Sequence, residues 1–153
     1  MTDERSLSLL QDRAAVIDVV LALARGLDIK DWATCRRCFT DVIETDYSDL
    51  RGEPPSTIKA EAFVELRRSA LERLKTLHLS VNHLVTVEGE RATCVSSAVI
   101  YRLRPEDGLR FDTYCAYTHG LVREGGLWKI SKVKQTVYWN AGSPDVHAGA
   151  RRS

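Results

Sequence analysis

The sequence carries almost no excess of either charge: 22 Lys and Arg stand against 21 Asp and Glu, a formal net charge of +1. The two signs are interspersed, with no basic arm and no acidic tail, which argues against nucleic acid as a partner. No apolar run approaches the roughly 18 residues that a membrane-crossing helix needs. The opening Thr2-Asp3-Glu4-Arg5 lacks the charged-then-apolar order of a secretory signal. Together these absences predict a soluble cytoplasmic protein with no membrane partner. Also missing are a glycine-rich phosphate loop, a nucleophile elbow and a zinc-ligand spacing, so the chemistry expected is free of cofactors and metals. No internal repeat occurs.

What is present suits one domain. A chain of 153 residues, 44% hydrophobic, can bury roughly two-thirds of its unfolded surface in a single core and is too short for two ordinary domains. Cys35, Cys38, Cys94 and Cys115 fall on apolar segments, as reduced core thiols do, and the Cys35–Cys38 pair has no second pair or nearby histidine to complete a metal site. His83, His119 and His147 share no metal-ligand spacing. Trp32, Trp128 and Trp139 are expected to supply core or subunit-contact area.

From Asp12 to about Leu27, Val16, Val20, Leu23 and Leu27 recur at helical spacing, widened by Ile17, Leu21 and Ala24. A second helix is expected over Asp31 to Phe39, a short strand over Val42 to Tyr47, and an exposed loop, a candidate lid, over residues 48–56, which are rich in turn formers. A third helix is predicted from Lys59 to Leu74, with Ala62, Phe63, Leu66, Ala70 and Leu74 as its apolar positions. Four β-rich runs follow: Leu77 to Val87, Thr93 to Leu103, Phe111 to Val122 and Leu127 to Tyr138. They are joined by turns at Gly89, Gly108 and Gly125-Gly126. Helices followed by a curled, mainly antiparallel sheet define an α+β fold. The polar, Gly-containing residues 141–153 are expected to be loosely ordered.

Asp28 continues the apolar face of the first helix, four residues after Ala24 and seven after Leu21. Burial and the negative end of the helix dipole both raise the pKa of a carboxylate there unless a cation offsets them. A protonatable histidine is such a partner, and a carboxylate that holds an imidazole in one tautomer makes a general base near neutral pH. His78 opens a β-like run. On its residues alone it is either that base or a strand histidine satisfied by core hydrogen bonds, while Asp28 either orients the ring or caps a helix and pairs with Arg25 or Lys30.

The segments Gly26-Leu27-Asp28-Ile29-Lys30-Asp31-Trp32, Thr45-Asp46-Tyr47, Thr76-Leu77-His78 and Gly126-Leu127-Trp128-Lys129-Ile130, in this order and spacing, resemble the SnoaL-like (polyketide-cyclase-like) branch of the nuclear-transport-factor-2-like superfamily. The likeness spans about residues 12 to 140 and is greatest to its scytalone dehydratase and hexachlorocyclohexane dehydrochlorinase members. It implies a cone-shaped half-barrel with a ligand cavity between helices and sheet. It also implies an Asp28–His78 dyad and a pocket phenol at Tyr47. Leu27 stands where the dehydratases have a second tyrosine and Arg102 near their second histidine. Tyr117 falls near their pocket asparagine, and Val133 near the pocket arginine of the dehydrochlorinases. The base is retained and the leaving-group machinery is not, so neither substrate carries over.

These readings predict a cofactor-independent, dehydratase-like lyase. It would abstract a carbon-bound proton from a small hydrophobic cyclic or polyketide-like molecule, with His78 as base, Asp28 holding it and Tyr47 donating to a carbonyl or leaving group. Tyr117, Arg102 and Asn140 are candidate substrate contacts, although a strand arginine more often points outward into solvent, and Tyr47 also suits a core aromatic with its hydroxyl at the rim. An isomerase or cyclase would use the same base, and this fold also serves as a non-catalytic binding module. Asn82 is expected to be structural, with His83 pointing away from His78. A homo-oligomer, dimer or trimer, is expected because an open curled sheet needs its outer face covered.

Overall fold

The computed structural model describes residues 2–147 and 150, with side chains from residue 3 onward. Helices α1 (Thr2–Ile29), α2 (Trp32–Arg37), α3 (Ser48–Arg51) and α4 (Ala60–Leu71) alternate with β1 (Phe39–Asp46) and β2 (Ser56–Lys59). The strands β3 (Lys75–Glu88), β4 (Arg91–Leu103), β5 (Phe111–Glu124) and β6 (Leu127–Gly142) follow. They form one curled sheet in the order β2-β1-β6-β5-β4-β3. β3 to β6 make an antiparallel meander, and β1 joins it by a parallel pairing with β6. The α+β expectation holds. No helix among the described residues is long and apolar enough to cross a membrane.

Val16, Val20 and Leu23 of α1, one helical turn apart, pack with Phe39, Ile43, Phe63 and Ile130 in the main core. All four cysteines are buried free thiols, and burial pushes Cys35 up to about 12 and Cys38 to about 11, which keeps both protonated. At the end of α1 Lys30 takes φ 62° and the Asp31 N–H returns to the Gly26 carbonyl at 2.9 Å, a left-handed C-terminal turn. Asp31 then caps α2 by accepting from the Thr34 N–H at 3.0 Å. The close return leaves no room at Gly26, where a Cβ would lie 2.8 Å from Cys35 Sγ.

Several boundaries differ from expectation. α1 begins ten residues earlier than the apolar pattern, because its first turns expose Leu7, Leu9 and Leu10 and bury nothing that would create a stripe. Phe39 belongs to β1, fully buried, not to α2. Residues 48–56 are a loop only in part: residues 52–55 are irregular and exposed as expected, whereas those on either side are structured. Leu50 of α3 is buried with Leu71, Leu74, Phe111 and Val146, the Val137 N–H donates to Asp49 Oδ2 at 3.0 Å, and β2 pairs with β1. Elements of four residues are too short for periodicity to reveal. α4 ends at Leu71 and buries Ala60, Phe63, Val64, Arg67 and Leu71 while Leu66 is exposed. The inward arginine had masked that stripe. Residues 141–147 are ordered, with Val146 of the 3-10 turn Pro144–Val146 and the next residue, His147, both buried; the rest of that expectation, apart from Ala150, lies outside the described residues.

A bulge between Val81 and Leu84 of β3 is the correction that matters most for the site. Asn82, expected to be structural, is the extra residue, held at φ 56°, a conformation that asparagine tolerates better than branched residues. It reverses strand parity, so that His83 bonds Ser80 Oγ at 2.8 Å on the face that His78 shares, not the opposite one.

On the outer face the register aligns Leu79, Val99, Tyr114 and Trp139 across four strands. Leu77, Leu79, Val81 and Trp139 are exposed there.

Candidate active site

Asp28 sits in the last turn of α1 and His78 on the inner face of β3, which bring together two residues 50 positions apart. His78 Nδ1 lies 2.6 Å from Asp28 Oδ1. The His78 backbone N–H donates to Oδ2 at 2.8 Å, and the Thr76 hydroxyl donates to Oδ1 at 3.0 Å. Three donors thus converge on one carboxylate. Lys30 joins the group through Thr76, its Nζ donating to Oγ1 at 3.2 Å. The side chains are 12% and 15% exposed for His78 and Asp28, dry enough for the bond to be strong.

The electrostatics are consistent with an ionised acid beside a neutral ring. Burial pushes the Asp28 pKa up, but the hydrogen bonds and charge of His78 and the Thr76 bond outweigh it, and the carboxyl lies below its ordinary value. Burial holds the His78 imidazole below its usual range despite Asp28, and Arg102 and Lys30 push it further down. A neutral ring that gives its Nδ1–H to Asp28 keeps a lone pair on Nε2. That nitrogen has no hydrogen-bond partner among the described residues.

His78 lines a cavity of about 50 Å³. Val20, Leu23, Ala24 and Leu27 of α1 form one wall, and His78, Ser80, Tyr117, His119 and Tyr47 face them. This is far below the roughly 300 Å³ of ordinary ligand sites, so a ring-sized guest must displace side chains. Leu79 and Ser80 place the cavity beside the β3 edge, where the sheet has no further strand to move.

Tyr47 precedes α3 and packs on Phe63 with centroids 6.1 Å apart. The Arg51 and Arg67 guanidiniums lie over its ring at 5.3 and 5.5 Å. The Tyr117 oxygen accepts from Gln135 Nε2 at 2.8 Å, which leaves its own proton free to be donated. Burial raises both phenol pKa values, so both hydroxyls stay protonated.

Arg102 corrects the outward expectation: it is only 4% exposed. On β4 it shares the buried face of Ala98 and Ile100, and the register puts it opposite Thr76. Thr113 Oγ1 accepts from its Nη1 at 2.9 Å and the guanidinium lies 5.4 Å from the Phe111 centroid, contacts that offset part of the cost of burial. Asn140, by contrast, is exposed near the end of β6 and does not line the cavity.

Sequence reasoning missed Thr76 as a donor, Gln135 behind Tyr117, and His119, which stacks on Tyr117 at 5.4 Å and is pushed down to about 4 by burial. Strand parity points to Gln135 and His119 once Tyr117 is placed; nothing local marks Thr76. Among the described residues no group of three His, Cys, Asp or Glu side chains could hold a metal ion.

A helix-closed, curled antiparallel sheet with its cavity between the two layers defines the nuclear-transport-factor-2-like class. Within it the chain belongs to the SnoaL-like domain family, whose profile matches residues 8–134. Among solved structures it is similar to the Kfla4162 protein of Kribbella flavida (26% identity over 87% of this chain and 95% of that one, TM-score 0.83). It is also similar to the type 3 hexachlorocyclohexane dehydrochlorinase LinA of Novosphingobium barchaimii (20% identity, 93% and 97%, TM-score 0.76). A third is a provisionally assigned scytalone dehydratase of Novosphingobium aromaticivorans (15% identity, 94% and 92%, TM-score 0.77). A search of curated proteins finds no match.

Proposed function

We propose that this protein is a cofactor-independent lyase in which His78 Nε2 removes a carbon-bound proton from a small ring compound. The single observation that carries this reading is the 2.6 Å Nδ1 to Oδ1 bond behind a ring whose other nitrogen is unpartnered. As the proton arrives the ring becomes an imidazolium, and the ionised Asp28 stabilises that charge where it develops. Tyr47 and Tyr117, kept neutral, donate to the enolate oxygen or to the departing group. Solved relatives described as a dehydrochlorinase and a dehydratase support elimination as the outcome.

The same base serves an isomerase or cyclase, since an enolate can be reprotonated elsewhere or attack a second carbonyl. The small cavity favours a second reading, a binding module for a compact ligand that is not turned over. The row of exposed apolar side chains on the outer face supports a homo-oligomer under either reading.

A panel of cyclic β-hydroxy ketones and acids incubated in deuterium oxide separates these readings. Elimination gives a product lighter by water, isomerisation or cyclisation without loss conserves mass apart from deuterium, and exchange of a carbon-bound proton alone still reports the base. A wild-type protein that binds panel members with no product and no exchange is a binding module.

A further inference from the structure

Where α3, the start of β5 and the 3-10 turn pack together through Leu50, Phe111 and Val146, with Arg102 lying on Phe111, buried basic side chains gather. Arg102 is 4% exposed and its Nε has no partner. Arg51 is half-buried, and its Nε and Nη2 are likewise buried and unpartnered. Neither guanidinium forms an ion pair among the described residues. Asp112, whose charge Arg102 feels, is itself engaged by Arg110 at 3.1 Å. His147, 3% exposed, has both ring nitrogens unpartnered, and Arg51, Arg102 and His78 are all near enough to disfavour its protonation. Arg51 in turn disfavours the charge on Arg102. A folded chain holds repelling, desolvated cations together at considerable cost. Such an arrangement suits an anion, because guanidinium N–H groups match the two oxygens of a carboxylate.

We propose that Arg102 and Arg51 form the seat for a carboxylate on the substrate, with His147 as the neutral wall behind it. The placement relative to the base is set by register: Arg102 faces Thr76, and its neighbour on the same face, Ile100, faces His78. Diagonal positions on one sheet face lie roughly 7–8 Å apart, so His78 and Arg102 are neighbours on that face, with the guanidinium reaching on to Thr113 of β5, and a small ring carrying a carboxylate would lie between base and seat. The substrate class is therefore a cyclic carboxylic acid and not a neutral hydrophobe. Binding would also help the chemistry, since an anion beside Arg102 cancels the field that weakens His78 as a base. This rests on the lyase reading for the role of the seat, but the seat itself is measurable without turnover.

The test uses acetate against its neutral isostere acetamide at constant ionic strength, observed on the arginine Nε–H resonances of the whole protein. Expected is a saturable shift of the Arg102 and Arg51 signals with acetate, at least tenfold tighter than any response to acetamide. Arg102→Gln and, separately, Arg51→Gln should each abolish that preference; should one variant fail to fold, the other carries the test. Equal response to both probes, no response to acetate at millimolar concentrations, or acetate binding that survives in a folded glutamine variant overturns the proposal. Asp28→Asn should leave acetate binding intact. A failed base with an intact seat is thereby distinguished from a failed seat with an intact base.

Discussion

Replacing Asp28 by asparagine tests the proposed base most directly, because the three donors around the carboxylate leave an amide no good orientation. Oδ1 accepts from the His78 ring and from Thr76, and Oδ2 from the His78 backbone N–H. An amide that keeps its oxygen at Oδ1 sets its NH2 against the backbone N–H, two donors face to face. An amide turned the other way satisfies the backbone but offers a donor to Nδ1, so the ring must carry its proton on Nε2 and can no longer act as base. The first orientation also loses the negative charge that stabilises the imidazolium. Either way the expected loss in kcat is about 10²- to 10⁴-fold, the usual range for a displaced or mis-tautomerised general base, or about 3 to 5 kcal/mol of transition-state stabilisation. KM should change little, since the charge in question develops only in the transition state. The assays are turnover or solvent-deuterium exchange on a responsive member of the acid panel, with ¹⁵N spectra of the His78 ring as an independent readout. Wild type should show the Nδ1–H form at pH 7 and the variant a gain of Nε2–H. A folded variant that retains full kcat and exchange would falsify the dyad, whatever its spectra.

His119 and His147, pushed down to about 4 and about 3 by burial, make a prediction about acid. Unfolded histidines take up protons below about pH 6.5 while these two resist, so the stability they contribute is complete above that pH. It falls progressively down to about 4 and 3, by up to about 1.4 kcal/mol per pH unit for each residue. Urea unfolding between pH 7 and 4 should show this slope, and His119→Gln should flatten it; a flat wild-type profile would mean that the two rings are hydrated. Gly26→Ala should cost about 1–3 kcal/mol by overpacking, because the new Cβ would sit 2.8 Å from Cys35 Sγ and 3.3 Å from the Asp31 carbonyl. Adding Cys35→Ala should recover much of the loss in a double-mutant cycle, and purely additive effects would rule out that contact.

On its residues alone the sequence marked Asp28 as a carboxylate on the apolar side of α1 in need of a partner, with Arg25 and Lys30 as local alternatives; it was the family resemblance that paired it with His78, and the two side chains do meet at 2.6 Å. Long amphipathic and alternating segments were legible for the ordinary reason that their burial repeats. Illegible were features whose cause is a single local contact. α3 and β2 are too short to repeat, the α4 stripe is interrupted by buried Arg67, and the bulge at Asn82 changes the face of every later β3 side chain without altering composition. Arg102 failed for a different reason. Its inward direction follows from strand parity with Ile100, but the usual exposure of arginine outweighed parity.

That exception bears on how the cavity can select a substrate. The α1 wall is aliphatic, and aliphatic contact discriminates weakly, since one methylene more or less changes binding only by about 1–3 kcal/mol. Buried donors discriminate strongly, because a guest that leaves them unpaired incurs their desolvation with no return. In the proposed seat the unpartnered donors of Arg102 and Arg51 would meet one end of the guest, and the acceptor Nε2 of His78, on the cavity wall, the other. A neutral hydrophobe can fill the space between them, but only a molecule with an anion and an acidic C–H at the right separation answers both. Selectivity in this protein should therefore follow the spacing of polar groups on the guest more than its apolar area.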